Sequence, residues 1–312
     1  MTSVDPLRVG IVGLGAFGSR VAMRLLWNGY HTLGVYDCND MTSRLFSNEY
    51  GAMGLGSPRM VAQTCDVVIT VLPTADALRE VCFGWESIAK GFGGKGLVID
   101  LGVTDPVETQ SIAREFAAKG ISFIDAPAFG SPAQAKEGAL TLVVGGDDDA
   151  VEIVSPILNC LSNRMIRAGG SGSAQAASAI ADYLHAAELL ATSEAIRLGT
   201  QFGFQPETVL GICNILGGAG LQALISKDLV TRKFQSGRKL GHVQQNIAIA
   251  SHMAAKSSMA LPLLSATGKA WADAESQFGF GADQTEILKW LEKIVPFDNT
   301  TVKDAPVAEP MA

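Results

Sequence analysis

Arg8-Val9-Gly10-Ile11-Val12-Gly13-Leu14-Gly15-Ala16-Phe17-Gly18 is the stretch on which the fold turns. Arg8–Val12 is a short β-branched run that predicts a strand, and Ala16–Asn28 sets Val21, Ala22, Leu25 and Leu26 on one helical side. Between them lies Gly-x-Gly-x-x-Gly. The first glycine allows a tight turn, the second lets backbone approach a pyrophosphate, and the third permits close packing of helix on strand. Amides at the start of the helix then face the phosphates. Asp37, 24 residues past Gly13, closes the second predicted strand and is placed to accept hydrogen bonds from ribose hydroxyls.

Working outward, strands are predicted at 33–36, 67–72, 97–100, 122–125, 140–144 and 165–167. Helix-start signals stand between them at Ser57-Pro58, Thr74, Asp105-Pro106 and Asp147. This alternation predicts an α/β domain, a doubly wound parallel sheet of Rossmann type with helices on both faces. After Gly172 the strand signal stops. Ser173–Gln201, rich in Ala, Leu and Glu, predicts one long helix, with further helices at 206–216, 221–229, 242–257, 264–277 and 285–295. The expected division is a dinucleotide-binding domain over 1–168, an all-α domain over 169–297 and a flexible tail over 298–312.

The chain has 312 residues, 47% of them hydrophobic and 18% charged, enough for about two domains with large cores. Its 24 basic and 31 acidic residues give a net charge of −7, with no basic stripe, so neither nucleic acid nor an anionic membrane is an expected partner. The partner expected is a small molecule. Cys38, Cys65, Cys82, Cys160 and Cys213 form no CxxC pair and are an odd number, which fits buried thiols in a reducing cytosol. No signal peptide is read at MTSVDPLRVG, and the apolar stretch 174–190 carries Gln175, Asp182, His185 and Glu188, so a soluble, cytoplasmic protein is expected. No cluster has metal-ligand spacing, and Asp147-Asp148-Asp149 reads as a helix start.

The order of motifs resembles the β-hydroxyacid dehydrogenases. Asp66–Pro73 looks like the strand ending in the Leu-Pro that borders the cofactor; Asp125-Ala126-Pro127, then Gly138-Ala139-Leu140-Thr141 and Gly145-Gly146, look like the substrate-binding segment; Glu194-Ala195, Gly203 and Pro206 match the interdomain helix and its successor. The resemblance implies a nicotinamide cofactor held by Gly13, Leu14, Gly15, Ala16, Phe17, Gly18, Asp37, Leu72, Pro73, Thr104 and Gln245. It also implies a helical domain that forms a homodimer, and an active site between the domains. Because Asp37 disfavours a 2′-phosphate and no Arg adjoins it, NAD(H) is expected ahead of NADP(H).

The chemistry positions depart from the family. Its catalytic Lys is Ser178 here, the Asn one turn later is Asp182, its carboxylate-binding Ser is Phe129, its Lys-Asp pair is Gln245-Asn246, and its Ser-Thr after the fifth strand is Gly102-Val103. Losing an ammonium and a hydroxyl from the acid-binding wall points to a neutral, cationic or partly aromatic substrate. A carboxyl at Asp182 is the candidate proton handler, as in the imine reductases, where an Asp or Tyr replaces the Lys at the Lys position itself. Ser178 and Tyr183 share the helix as further catalytic candidates. Phe129, Gly130, Ser131, His242 and Asn246 are the substrate-pocket candidates, and His185 with Glu188 reads as a solvated or dimer contact. Two rival readings stand beside the leading one: a true 3-hydroxyacid dehydrogenase with a rebuilt acid site, and a cofactor-binding protein without turnover.

Overall fold

A computed structural model of the chain describes residues 7–31, 33–201, 203–216, 229, 231–256 and 258–294. The chain divides into two compact units, Met1–Ser178 and Ala179–Ala312.

The first unit is built on a sheet of β1 (Val9–Val12), β2 (Gly34–Tyr36), β3 (Met53–Gly54), β4 (Val67–Thr70), β5 (Gly96–Asp100), β6 (Ile121–Asp125), β7 (Ala128–Phe129), β8 (Leu140–Gly145) and β9 (Ser162–Gly169). The order runs β3-β2-β1-β4-β5-β6-β8, with β9 on the far side of β8. β1 to β6 are parallel. Helices α1 (Gly18–Trp27), α2 (Asp40–Tyr50), α3 (Pro58–Thr64), α4 (Ala75–Phe83), α5 (Ile88–Phe92), α6 (Pro106–Ala117), α7 (Pro132–Glu137) and α8 (Asp148–Leu161) join them. Alternate strand residues feed two separate cores, as in any sheet covered on both faces. Val67, Ile69, Leu97 and Ile99 pack in one core with Val21 and Leu25 of α1 and Val154 and Leu158 of α8. Val68 and Val98 pack in the other with Val61 of α3 and Ile112 and Phe116 of α6.

The parallel order that runs from β1 to β6 is broken locally at β8. Asp125 pairs with Gly145, Ala128 with Leu142 and Phe129 with Thr141, all antiparallel, so β6 and β7 are one ladder against β8 interrupted at Pro127. Residues 130–139 are too few for the crossover that a parallel return requires, ordinarily a dozen residues or more. β9 then returns parallel to β8. β3 and β7, two residues each, carry no alternation and escape a pattern reading.

The predicted long helix is α9 (Ser173–Gln201), 29 residues, followed by α10 (Pro206–Leu216), α11 (Leu240–Lys256), α12 (Pro262–Phe278), a 3-10 turn (Gln284–Glu286) and α13 (Ile287–Ile294). The second unit's core gathers Leu189, Val243, Ile247, Leu264, Ile287 and the fully buried Trp271. The helix expected over 221–229 lies, apart from Leu229, outside the described residues, as does the tail 298–312. No described helix is long and apolar enough to cross a membrane.

Candidate functional site

The glycine turn fits a dinucleotide on the structure's own evidence. Gly13 has φ +101°, and a Cβ there would stand 2.2 Å from the Val71 carbonyl; a Cβ on Gly18 would stand 2.0 Å from the Gly13 carbonyl. Those two glycines are demanded by the fold. A Cβ on Gly15 would meet no protein atom within 4 Å, so this glycine keeps clear a space that the protein does not fill. Gly15 and Ala16 are exposed, Leu14 is buried and Phe17 half-buried. The start of α1 has no side-chain cap. By contrast α3, α4, α6 and α8 begin on Ser57, Thr74, Asp105 and Asp147, each accepting from a backbone amide. Helix-start amides that no side chain satisfies suit a phosphate. Asp37 lies against the same turn, its Oδ2 accepting from Leu14 N at 2.8 Å and its Oδ1 from Asn39 N at 2.9 Å. Arg44 is paired with Asp40 on the surface.

The segment after β5 is held from two sides. Gln175, 1% exposed on α9, donates from Nε2 to the Gly102 carbonyl at 2.9 Å and accepts the Thr104 amide at 3.1 Å. Asp100 Oδ1 accepts from the Thr70 hydroxyl at 2.8 Å and Gly102 N at 3.2 Å. Thr104 is itself buried, with its hydroxyl toward Asp100. Burial pushes the Asp100 carboxyl up to about 6 against these hydrogen bonds. Gln175 is absent from the sequence candidates, because the contact joins parts of the chain that no local spacing connects. Leu72 is half-buried and Pro73 exposed, both just past the end of β4.

Phe129 is half-buried on β7, and Gly130 has φ +148°, a conformation that favours glycine. Ser131 is the N-cap of α7: its hydroxyl accepts Gln134 N at 3.3 Å, and Gln134 Oε1 accepts Ser131 N at 2.8 Å.

In the second unit, Asp182 is buried and charge-paired. Arg238 Nη2 lies 2.7 Å from Asp182 Oδ2, and Asn246 Nδ2 donates to the same oxygen. Asn246 is 2% exposed, and its Oδ1 has no partner. Both contacts to Asp182 come from donors, so the carboxylate acts as an acceptor. Arg238 is a residue the sequence reading missed; it precedes α11 in a loop without periodic signal. Its backbone is pinned: Gln284 N donates to Arg238 O at 2.9 Å, Gly237 N to Asp283 Oδ2 at 3.1 Å, and Ser236 Oγ to Asp283 Oδ1 at 2.9 Å.

His185 is not the solvated or dimer contact expected from its spacing. It is buried, with Nε2 3.0 Å from Gln284 Oε1, while Gln284 Nε2 donates to Ser236 Oγ at 3.1 Å. The amide is therefore used at both ends, and His185 carries its proton on Nε2. Burial holds this imidazole below its usual range, the nearby Arg238 charge adding to the effect. His242 is exposed, but its ring packs on Phe280, 5.1 Å between centres; this partial desolvation, then Lys239 and Arg238, lowers it too. Ser178 is buried on α9, Tyr183 packs against the second core, and Gln245 is half-buried on α11. Among the described residues no group of three His, Cys, Asp or Glu side chains is arranged to hold a metal.

The family model described as the NAD binding domain of 6-phosphogluconate dehydrogenase matches residues 8–170, and that described as the NAD-binding of NADP-dependent 3-hydroxyisobutyrate dehydrogenase matches 172–291. The chain belongs to the β-hydroxyacid dehydrogenase superfamily. It therefore carries the superfamily's NAD(P)-binding domain. It is 32% identical to human mitochondrial 3-hydroxyisobutyrate dehydrogenase over 210 residues, 67% of this chain and 62% of that protein, so the match spans under two thirds of the relative's length. In fold it is similar to Mycobacterium tuberculosis 3-hydroxyisobutyrate dehydrogenase (TM-score 0.83, 20% identity, 91% of this chain and 99% of that one). It is also similar in fold to an imine reductase from Myxococcus stipitatus (TM-score 0.65, 17% identity, 92% and 99%).

Proposed function

We propose that this protein is an NAD(P)-dependent oxidoreductase that moves a hydride between nicotinamide and the C=O or C=N carbon of a small, non-acidic or partly aromatic substrate. The observation that carries the reading is the uncapped start of α1 behind a Gly15 whose side-chain space is empty, with Asp37 fixed on Leu14. When bound, the nicotinamide cofactor supplies or takes up the hydride. Gly13 to Gly18 hold its pyrophosphate, Asp37 the adenosine ribose, and NAD(H) is favoured over NADP(H) because a second anion beside Asp37 is repelled.

The chain's own residues deal with the proton and the substrate. Asp182 Oδ2 is engaged by Arg238 and Asn246, and Oδ1 is the oxygen assigned to exchange a proton with the substrate heteroatom. Ser178 and Tyr183 stand beside it on α9 as further candidates. Help of this kind is worth about 10²–10⁴ in rate. The missing ammonium at 178, and an Arg238 already offset by Asp182, favour a substrate without an acid group. Phe129, Gly130, His242 and Asn246 are assigned to its binding, with Ser131 in a supporting place as the cap of α7. Homodimerisation through the helical unit takes its support from Ile180 and Leu184, 59% and 52% exposed one turn apart on α9. A cytoplasmic location belongs to the same proposal.

The test is oxidation of NADH and NADPH by the purified protein with cyclic imines, aldehydes and β-keto acids. Turnover of imines or aldehydes is expected, with Asp182→Asn lowering kcat. Cofactor binding without turnover of any of them overturns the reading in favour of a cofactor-binding protein. A second reading, a 3-hydroxyacid dehydrogenase, draws on the 32% identity with the human enzyme, and preference for the β-keto acids would select it.

A further inference from the structure

We propose that the Asp182–Arg238 pair sets the charge preference of the substrate site, each residue masking the charge of the other. The inference rests on the reading that Asp182 faces substrate. Asp182's side chain is 5% exposed and Arg238's 30%, so the carboxylate is shielded while part of the guanidinium is accessible. The pair is rigidly presented, since Arg238 is anchored through its carbonyl to Gln284 and its neighbours Ser236 and Gly237 are bound to Asp283. The surroundings add little net charge. His185 and His242 are both pushed toward their neutral forms, and Lys239 is exposed and bridged through its backbone to Asp283. Two acids stand against Lys239 near this cluster: Glu188, half-buried on α9 with Oε2 unpartnered, and Asp283, whose carboxylate is taken up by Ser236 and Gly237.

A guanidinium and a carboxylate in contact present a dipole to a ligand, whereas either alone presents a full charge. Removing one member should therefore do more than weaken the site; it should convert it. Asp182→Asn leaves a nearly isosteric amide and uncovers the guanidinium, which selects carboxylates. Arg238→Gln uncovers the carboxylate, which selects ammonium groups. A partner that served packing alone would give neither sign.

The experiment measures binding of butyrate, butanol and butylamine, three charges on one carbon skeleton, to the full-length protein saturated with NAD⁺, by isothermal titration. The wild type should rank butanol at least equal to the two ions. Asp182→Asn should shift the butyrate-to-butanol ratio upward on the order of tenfold, and Arg238→Gln should shift the butylamine-to-butanol ratio upward by a similar factor. The double variant, neutral again, should return to the wild-type order. Arg238→Lys keeps the charge and should keep that order even if Arg238→Gln fails to fold, and Asp182→Asn then carries the test. Variants that change all three affinities by one common factor, or leave them unchanged, overturn the proposal. Opposite shifts in a protein that turns over no carbonyl or imine sink the oxidoreductase reading and leave the charge assignment standing. Turnover with unselective variants does the reverse.

Discussion

Asp100 and Asp125 are register partners at the ends of β5 and β6, and the fold gives the two carboxylates unlike surroundings. Asp125 accepts three backbone amides at the start of α9, Gly172 N at 2.9 Å, Ala174 N at 3.1 Å and Gln175 N at 3.2 Å. Asp100 has its donors on Oδ1, and its buried Oδ2 has no partner.

Asp100 makes stability depend on pH. Its carboxyl titrates at about 6 in the fold, through burial, against 3.8 as a reference. The native state binds the extra proton between those values, so this group adds stability as pH falls through about 6 toward 4 and withdraws it as pH rises. A shift of roughly two units corresponds to about 3 kcal/mol. Asp100→Asn keeps the Oδ1 acceptor without the charge. Its stability relative to wild type, from urea denaturation, should improve by about 2–3 kcal/mol between pH ~4 and pH ~8. A constant difference would show that no buried charge is being carried.

Asp125→Ala should free the first turn of α9. Three charge-assisted bonds are lost together, and a cost of about 2–4 kcal/mol is expected in the first unit's unfolding. Amide exchange at Gly172, Ala174 and Gln175 should quicken first, and exchange in β1 should keep its lead in protection over those three sites.

Gly18 and Gly15 should separate fold from ligand. Gly18→Ala collides with backbone and should lower stability by more than about 1 kcal/mol. Gly15→Ala meets no protein atom, so the ligand-free melting temperature should hold while NADH affinity, by fluorescence titration, falls at least about tenfold, or 1.4 kcal/mol. Unchanged affinity would mean the cofactor does not pass over Gly15.

Asp37→Ala should raise the NADPH-to-NADH ratio of kcat/KM by about tenfold, through loss of one repelling charge and one pair of ribose acceptors. It also strips Leu14 N of its acceptor, so affinity for both nucleotides should drop somewhat. An unchanged ratio would place Asp37 away from the ribose.

The strand, the glycine turn and the helix after it were legible because their logic is local: Gly13 to Gly18, the strand before them and Asp37 after the next one all lie within thirty residues. The caps at Ser57, Thr74, Asp105 and Asp147 were legible for the same reason. The span of α9 followed from composition alone. What escaped depended on contacts between distant positions. The reversal at β8 is dictated by the shortness of 130–139, not by any alternation in Leu140–Gly145. Arg238 reaches Asp182 from a loop and Gln284 reaches His185 from a short 3-10 turn, where nothing in the spacing announces a partner. Reading Ser178 and Asp182 from their own helix thus left out the positive charge that the fold returns from elsewhere.

β9 has a consequence for the protein's behaviour at high concentration. Eight residues long and hydrogen-bonded to β8, it would be a template for strand addition by a second molecule. Asn163 and Arg164 stand exposed along it, Arg167 is drawn back onto Asp148 and the Val144 and Gly146 carbonyls, and the strand's register slips at both ends of the ladder. The Arg164 charge repels a like edge, and an irregular ladder zips poorly, so the sheet is guarded against growing into aggregates from this side.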